Sequence, residues 1–393
     1  MSKKNSNIAI VGCGIIGLTC ALLLSKLNIG IITIFGSYPK YNKNKTTALL
    51  DSSYNLYRNL NIFNQNNNNL YELRELKIHD RILNSGKHLN FKASEINREC
   101  FAYNIEDNML SKLLIKKIIN DKNIIHIDQN VKEITYTGDE NILTTTENFK
   151  YNYKLIIAAD GKNSICRNSA KIKTKTVNYN QSAVITRISH LNSHNNISNE
   201  IHRIGGPLTS VPLKENTSAI VWLDNPDRMS EIIDTNQFES FLNHQFINIF
   251  DGIKILDKHF AIPMQSIQAQ ELSKLRTILV GESSHIMPPI GAQGLNLGLR
   301  DIAWLYEIIE NSNTKDYGNR NVLREYKNKR WLDIYKRQKA VELLNKSLVS
   351  DNTSIKIARK IGLYSLNNFN FIRKFLLTEG MVNKSYLPYI MLQ

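Results

Sequence analysis

Between a short apolar strand, Ile8-Ala9-Ile10-Val11, and an apolar run from Leu18 to Leu27, the chain places glycine at positions 12, 14 and 17. A GxGxxG turn between strand and helix constrains the fold strongly, because each glycine does a different job. The first allows a tight turn, the second lets a pyrophosphate reach the backbone, and the third lets helix and strand pack closely. Gly12, Gly14 and Gly17 are therefore expected to hold a dinucleotide at a helix N-terminus, where free N–H groups and the helix dipole favour an anion. The ribose-binding acid expected about 20 residues later is absent. After the second strand, Ile31 to Phe35, stand Gly36, Ser37 and Tyr38, and Asp51 is the first carboxylate of the chain. Taken alone, that gap beside Lys40, Lys43 and Lys45 reads as a preference for a ribose phosphate, hence NADP. Two later motifs argue against it.

The first of these follows the strand Leu155 to Ala159 and reads Asp160-Gly161-Lys162-Asn163-Ser164-Ile165-Cys166-Arg167. The second follows the apolar strand Thr277 to Val280. It begins Gly281-Glu282-Ser283-Ser284-His285, continues through Pro288-Pro289-Ile290-Gly291-Ala292-Gln293-Gly294-Leu295-Asn296, and runs into a helical pattern. Leu295, Leu299, Ile302, Ala303 and Leu305 fall on one side of that helix. A second glycine-rich strand-to-helix turn thus aims backbone N–H groups at something anionic.

In order and spacing the three motifs resemble those of the single-component FAD-dependent aromatic hydroxylases. More narrowly, the stretch from Pro288 to Asp301 is similar to the ubiquinone-biosynthesis ring hydroxylases, as are Lys45 to Leu49 and Gly206 to Leu213 followed by Val221-Trp222. The resemblance implies FAD as cofactor, with its pyrophosphate on Gly12, Gly14 and Gly17 and its ribityl chain on Glu282. It implies further cofactor contacts from Lys45, Asp160, Gly161, Gly281 and Gln293, with Arg167 steadying the Asp160 loop. Pro288 would lie beside the isoalloxazine ring, and the N–H groups of Gly294, Leu295 and Asn296 would face its N1 and O2 edge. A helix N-terminus there suits the chemistry, since reduced flavin carries negative charge at N1.

The implied reaction is hydroxylation of the aromatic ring of a polyprenylated ubiquinone precursor through a flavin C4a-hydroperoxide formed with dioxygen. NADH, NADPH or a partner reductase would supply the electrons. Another phenolic substrate, or a non-catalytic role as flavoprotein component of a quinone-biosynthesis complex, stays open. Four positions depart from the family's pattern. Glu282 stands for aspartate, Lys45 for arginine, Asp107-Asn108 for an Asn-Arg pair, and Gly36 for the ribose carboxylate. Lysine cannot reproduce the bidentate contact of arginine, so weaker FAD binding is expected.

Motifs at 12, 160 and 281 imply an α/β (α+β) fold: a Rossmann-like FAD-binding lobe assembled from separate segments, an inserted β-sheet substrate lobe and C-terminal helices. The expected bounds are 1–75, 98–170 and 271–330 for the FAD lobe, 76–97 and 171–270 for the substrate lobe, and 331–393 for the helices. Within the insert, Val184 to Ile188, Thr209 to Leu213 and Ala219 to Leu223 read as strands between Asn- and Ser-rich turns.

A length of 393 residues suits two lobes. No stretch is long and apolar enough to span a bilayer, and the first residues lack a signal peptide's apolar segment. The four cysteines, Cys13, Cys20, Cys100 and Cys166, are scattered without a CxxC pair, which suits a reducing cytoplasm. The net charge of +15 raises the question of nucleic acid. Lys, Asn and Ile are abundant throughout, however, including the run Asn66 to Asn69, and no aromatic-basic interleaving is seen. No nucleic-acid partner is expected; peripheral contact with the inner face of an anionic membrane, or with other quinone-biosynthesis proteins, fits the charge better.

No metal is expected, since His190 and His194 lie in an Asn-rich loop without Cys or Asp partners. His285 reads as a hydrogen-bonded structural residue. His202 and Arg203 read either as polarising a phenol or as facing solvent. Residues 337 to 377 carry apolar side chains at helical spacing with Lys and Arg between them. Such helices either lie in a membrane interface or pack on their own domain; the mixed charge pattern favours packing.

Overall fold

Runs of β-branched residues become the buried strands of a parallel sheet. Ile8–Val11, Ile32–Phe35 and Leu155–Ala158 are buried at every position, as strands covered on both faces must be. The structure is a computed structural model that describes residues 7–39, 45–63, 69–82, 88–235, 237–259, 261–350, 352–378 and 386–392. In it a six-stranded sheet runs in the order Ser273–Lys274, Thr277–Leu279, Leu155–Ala158, Ile8–Val11, Ile32–Phe35 and Ile124–Ile127. All but the first strand are parallel. Ile8 stands level with Ile32 on one side and Leu155 on the other. The strands that lead into the three motifs are therefore neighbours, and their turns emerge at one end of the sheet. The helices Ile15–Ser25 and Gln293–Glu310 follow two of those turns and pack on each other.

A second, nine-stranded sheet stands apart from the first. Its spine is the 16-residue strand Thr174–Ser189. One flank of the spine pairs with Thr217–Asp224, which leads on to Gly206–Pro212, Ile197–Arg203, Glu75–Asp80 and His88–Lys92. The other pairs with Ile262–Ala269 and, through it, with His285–Ile286. That last pairing stitches the third motif directly to this sheet.

The helix Arg320–Val349 is 30 residues long, and position 331 lies inside it. It ties the sheets together. The Tyr326 hydroxyl donates to Leu279 O at 2.8 Å in the first, and Gln338 Nε2 donates to Ile267 O at 2.9 Å in the second. Two further α-helices, Thr353–Asn368 and Asn370–Leu377, follow the long helix, and a short 3-10 helix at Tyr389–Met391 comes after them. Packing holds for Val341 and Leu348, which are buried, but not for Ile357, Ile361, Phe371 and Phe375, which are exposed. The body-facing side of these helices is occupied instead by Leu363, Leu366 and Leu377. Among the described residues no helix is long and apolar enough to cross a membrane.

Candidate functional site

At the first turn Gly12 adopts φ +111°, and its N–H donates to Phe35 O at 2.8 Å. A Cβ at position 12 would lie 2.3 Å from Ala159 O, and one at position 17 would lie 1.9 Å from Gly12 O. Both glycines are required by backbone packing. Gly14 differs: nothing lies within 4 Å of where its Cβ would be. The middle glycine thus opens a cradle beside the N-terminus of the Ile15–Ser25 helix, as the approach of a pyrophosphate demands.

Gly36, where a ribose carboxylate was missing, accepts the Cys13 thiol at 3.0 Å and the His126 Nε2 proton at 2.8 Å. The His126 ring stacks on Tyr38 at 4.0 Å. Burial pushes the Cys13 thiol up to about 12, and the negative charge of Asp128 adds to the shift. Asp128 also raises Tyr38, after burial. A carboxylate does stand close to this turn, then, but it comes from the end of the Ile124–Ile127 strand. Spacing from the first turn does not reveal it, because the acid follows the neighbouring strand rather than the second one. Lys40 and Lys43 lie outside the described residues.

At the second motif Asp160 Oδ2 accepts the Cys166 N–H at 3.0 Å, while its Oδ1 is buried without a partner. Gly161 at φ +74° has open space around it. Arg167 donates to Lys162 O at 2.8 Å and to Ser283 O at 2.9 Å, so it clamps the second motif to the third. Ser283 Oγ donates in turn to Ala158 O at 2.7 Å.

The third turn is held from behind by buried charge. Asp301 is fully buried; its Oδ2 accepts the Gly281 N–H at 3.0 Å and His285 Nε2–H at 2.8 Å, and its Oδ1 accepts from Arg330 at 2.8 Å. Arg330 also donates to Asp333 at 2.6 Å, and Asp333 receives Arg300 and Arg337 as well. Arg337 then reaches Gln293 Oε1 at 2.7 Å. Burial by itself would raise both carboxyls. His285 and Arg330 beside it hold Asp301 below the usual carboxylate range, and the charges of Arg330, Arg300 and Arg337 do the same for Asp333. Burial, with Arg337 nearby, pushes Arg300 down to about 10. Three arginines against two aspartates leave an excess of positive charge behind Gln293.

Asn296 fixes the front of the same helix. Its amide donates to Ala48 O at 2.8 Å and Ala292 O at 2.6 Å, and its Oδ1 accepts the Leu50 N–H at 3.0 Å. Pro288 is buried, Leu295 half-buried, and Gly294 and Glu282 exposed. The first-turn N–H groups of a helix have no partner within it, and those at Gly294 and Leu295 are near the surface. A Cβ at Gly298 would lie 2.9 Å from Ile16 Cδ1 and 3.1 Å from Gly281 Cα; its absence lets this helix approach the first one.

Lys45 Nζ lies 3.7 Å from Asp107 Oδ2, and Thr47 Oγ1 donates to Asp107 Oδ1 at 2.5 Å. Two of the departures from the family pattern are therefore partners of each other, a fact that spacing alone does not reveal. Neither reading of His202 and Arg203 survives. His202 is buried between Glu200 and Arg359, and Arg203 is buried against Asp224. His190 bonds Asn192 O and Ser218, and His194 bonds Leu213 O.

An open cradle at Gly14, an unpartnered Asp160 oxygen and two helix N-termini at one sheet end fit an extended dinucleotide. The family model described as FAD binding domain matches residues 5–337. The ubiquinone hydroxylase UbiL of Rhodospirillum rubrum is 22% identical over 97% of this chain and 90% of its own length. The 3-demethoxyubiquinol 3-hydroxylase of Escherichia coli is 22% identical over 95% of this chain and 98% of its own. Among solved structures, p-nitrophenol 4-monooxygenase PnpA of Pseudomonas putida superposes with a TM-score of 0.80 at 16% identity, over 96% of this chain and 98% of that one. Its fold is shared by the present chain.

Proposed function

The chain belongs to the FAD binding domain family, and from that premise we propose that it is an FAD-dependent monooxygenase hydroxylating the aromatic ring of a polyprenylated ubiquinone precursor. The observation that carries this reading is the third turn. A helix N-terminus backed by buried arginines, tied by Asn296 to the Thr46–Leu50 strand, suits an aromatic cofactor that gains negative charge on reduction. The likeness to two ubiquinone-pathway hydroxylases along nearly the whole chain supports the substrate class.

When bound, FAD supplies the activation of dioxygen and the transfer of one oxygen atom to the ring. The protein does the rest. Gly12, Gly14 and Gly17 admit the pyrophosphate, Asp160, Gly161 and Glu282 face the cofactor's polar middle, and Arg167 keeps two of its loops in register. Gly294, Leu295 and Asn296 present N–H groups to the developing anion, and Pro288 lines the ring. Lys45 and Gln293 complete the contacts, and Gly281 lets the backbone turn beneath them. Reducing equivalents come from NADH or NADPH, or from a partner reductase. The substrate's tail places the work in peripheral contact with a membrane.

The test is mass spectrometry of the quinone pool in a bacterial host lacking its own ring hydroxylases, expressing this chain or its Gly14→Glu variant. Restoration of ubiquinone, or movement of the block to a later intermediate, is expected from the native chain alone. An unchanged pool with soluble, FAD-loaded protein overturns the substrate assignment.

A further inference from the structure

The last two described α-helices repeat one design. In Thr353–Asn368, Ile357, Ile361 and Tyr364 recur at i, i+4 and i+7, one face of a helix, and are 54%, 60% and 64% exposed. In Asn370–Leu377, Phe371 and Phe375 recur at i, i+4 and are 73% and 68% exposed. Opposite faces point inward. Leu363, Leu366 and Leu377 join an apolar cluster of the body. Arg359 donates to Asp80 at 3.1 Å and His202 Nδ1 at 2.8 Å, and Arg373 donates to Glu95 at 2.7 Å. The triplets Arg359-Lys360-Ile361 and Arg373-Lys374-Phe375, one on each helix, repeat one order: arginine anchors inward, bulky apolar residue outward, lysine between.

We infer that this helical pair docks the protein on an anionic phospholipid bilayer, with its aromatic and aliphatic face in the interface. Bulky apolar groups flanked by lysines, whose stems bury while their heads stay wet, are what an interfacial helix requires. Charge selects the lipid. From residue 352 to 378 the chain carries Lys356, Lys360 and Lys374 besides the two inward arginines, which are paired with Asp80 and Glu95, and no acidic residue. The inward arginines tie the pair to the body with its apolar face turned outward. The cluster that receives Leu363 and Leu366 also contains Leu50 and Ala48, whose backbone groups bond Asn296 at the third turn. The docking element and the turn thus share one apolar seam. That this seam delivers a polyprenyl tail to the ring site rests on the function proposed above; the docking does not.

The test uses FAD-loaded full chain and quinone-free vesicles of phosphatidylcholine with or without phosphatidylglycerol. Sedimentation with anionic but not neutral vesicles is expected, and Ile361→Glu/Phe375→Glu should weaken it by ~100-fold while leaving hydroxylation of a short, water-soluble phenol unchanged. Hydrogen exchange of the native chain gives a readout without substitution: residues 353–377 should gain protection when anionic vesicles are added. Absence of sedimentation, equal sedimentation of the variant, or a dimer that the variant dissolves without any vesicle binding would each overturn the proposal. Vesicle binding without hydroxylation of any quinone precursor would instead sink the substrate reading alone.

Discussion

At the first turn, Gly12 and Gly17 are demanded by backbone atoms at Ala159 and at Gly12 itself, whereas the third turn is held by charged side chains that arrive from residues 301 to 337. One is set by hard-sphere contact within a strand–turn–helix unit and its neighbouring strand. The other depends on five ionised groups buried together, two of them on the Gln293–Glu310 helix and three on the next. The difference teaches that two turns proposed to serve one cofactor can fail in different ways: the first by steric exclusion, the second by loss of charge.

The largest effect should come from Gly17→Val. Even a Cβ would sit 1.9 Å from Gly12 O, so the strand and helix must separate, and FAD retention, read by flavin absorbance after purification, should be lost. Gly14→Ala sharpens the point. Open space surrounds that position, so the variant should melt like the native protein yet bind FAD more weakly; equal melting losses for both would break the distinction.

Next is Asp301→Ala, which strands a buried arginine and leaves the Gly281 N–H unpaired. Removing one partner of such a buried pair costs about 3–5 kcal/mol, measurable by denaturant unfolding. Asp301→Asn keeps the shape and should recover only part of that. Since the arginine and the aspartate fail together, Asp301→Ala combined with Arg330→Met should be less damaging than the sum of the two.

Acid should separate the turns without mutation. The folded-state carboxyls of Asp301 and Asp333 are held below their ordinary values. The stability they contribute is therefore fully present well above the unfolded carboxylate value of about 3.9 and is lost as the pH falls through and below it. FAD release and unfolding should follow that descent, and Asp333→Asn should flatten it. An unchanged acid profile in Asp333→Asn would show that carboxylates elsewhere govern it.

Smaller effects belong to the rim. Arg337→Met removes the hold on Gln293 and should weaken FAD by roughly tenfold, on the order of one charge-assisted hydrogen bond. Asp128→Asn tests whether the carboxylate near Tyr38 serves the ribose end of the cofactor; a several-fold loss of FAD affinity is expected by equilibrium dialysis, and none would assign its charge to solvent.

The dinucleotide-binding fold was legible because the information is local. Ile8–Val11, Leu155–Ala158 and Thr277–Leu279 are short, largely apolar runs that each lead into a glycine turn, and strands buried on both faces are what a parallel sheet uses. The family likeness read from the same three motifs agrees with the matched FAD binding domain model. Other features were not legible. Nothing in spacing says that Lys45 meets Asp107, that Asp128 lies beside the first turn, or that His202 is buried against Arg359. These contacts join residues 62 to 157 positions apart or strands out of sequence order. The mixed charge pattern favoured packing for the stretch that holds Ile357, Ile361, Phe371 and Phe375, and periodicity could not correct it, since an amphipathic stripe looks the same whether its apolar side meets protein or lipid.

By itself the sequence determined the three turns and the kind of helix that follows two of them, because each rests on dihedral freedom and side-chain period within about 20 residues; FAD as the cofactor was implied by the resemblance that the three motifs carry together. Only the tertiary structure decided which charges stand behind the third turn and which face of the last helices is left uncovered. Both are sums over partners brought together by the path of the chain, and a buried ion or an exposed phenylalanine has no local signature.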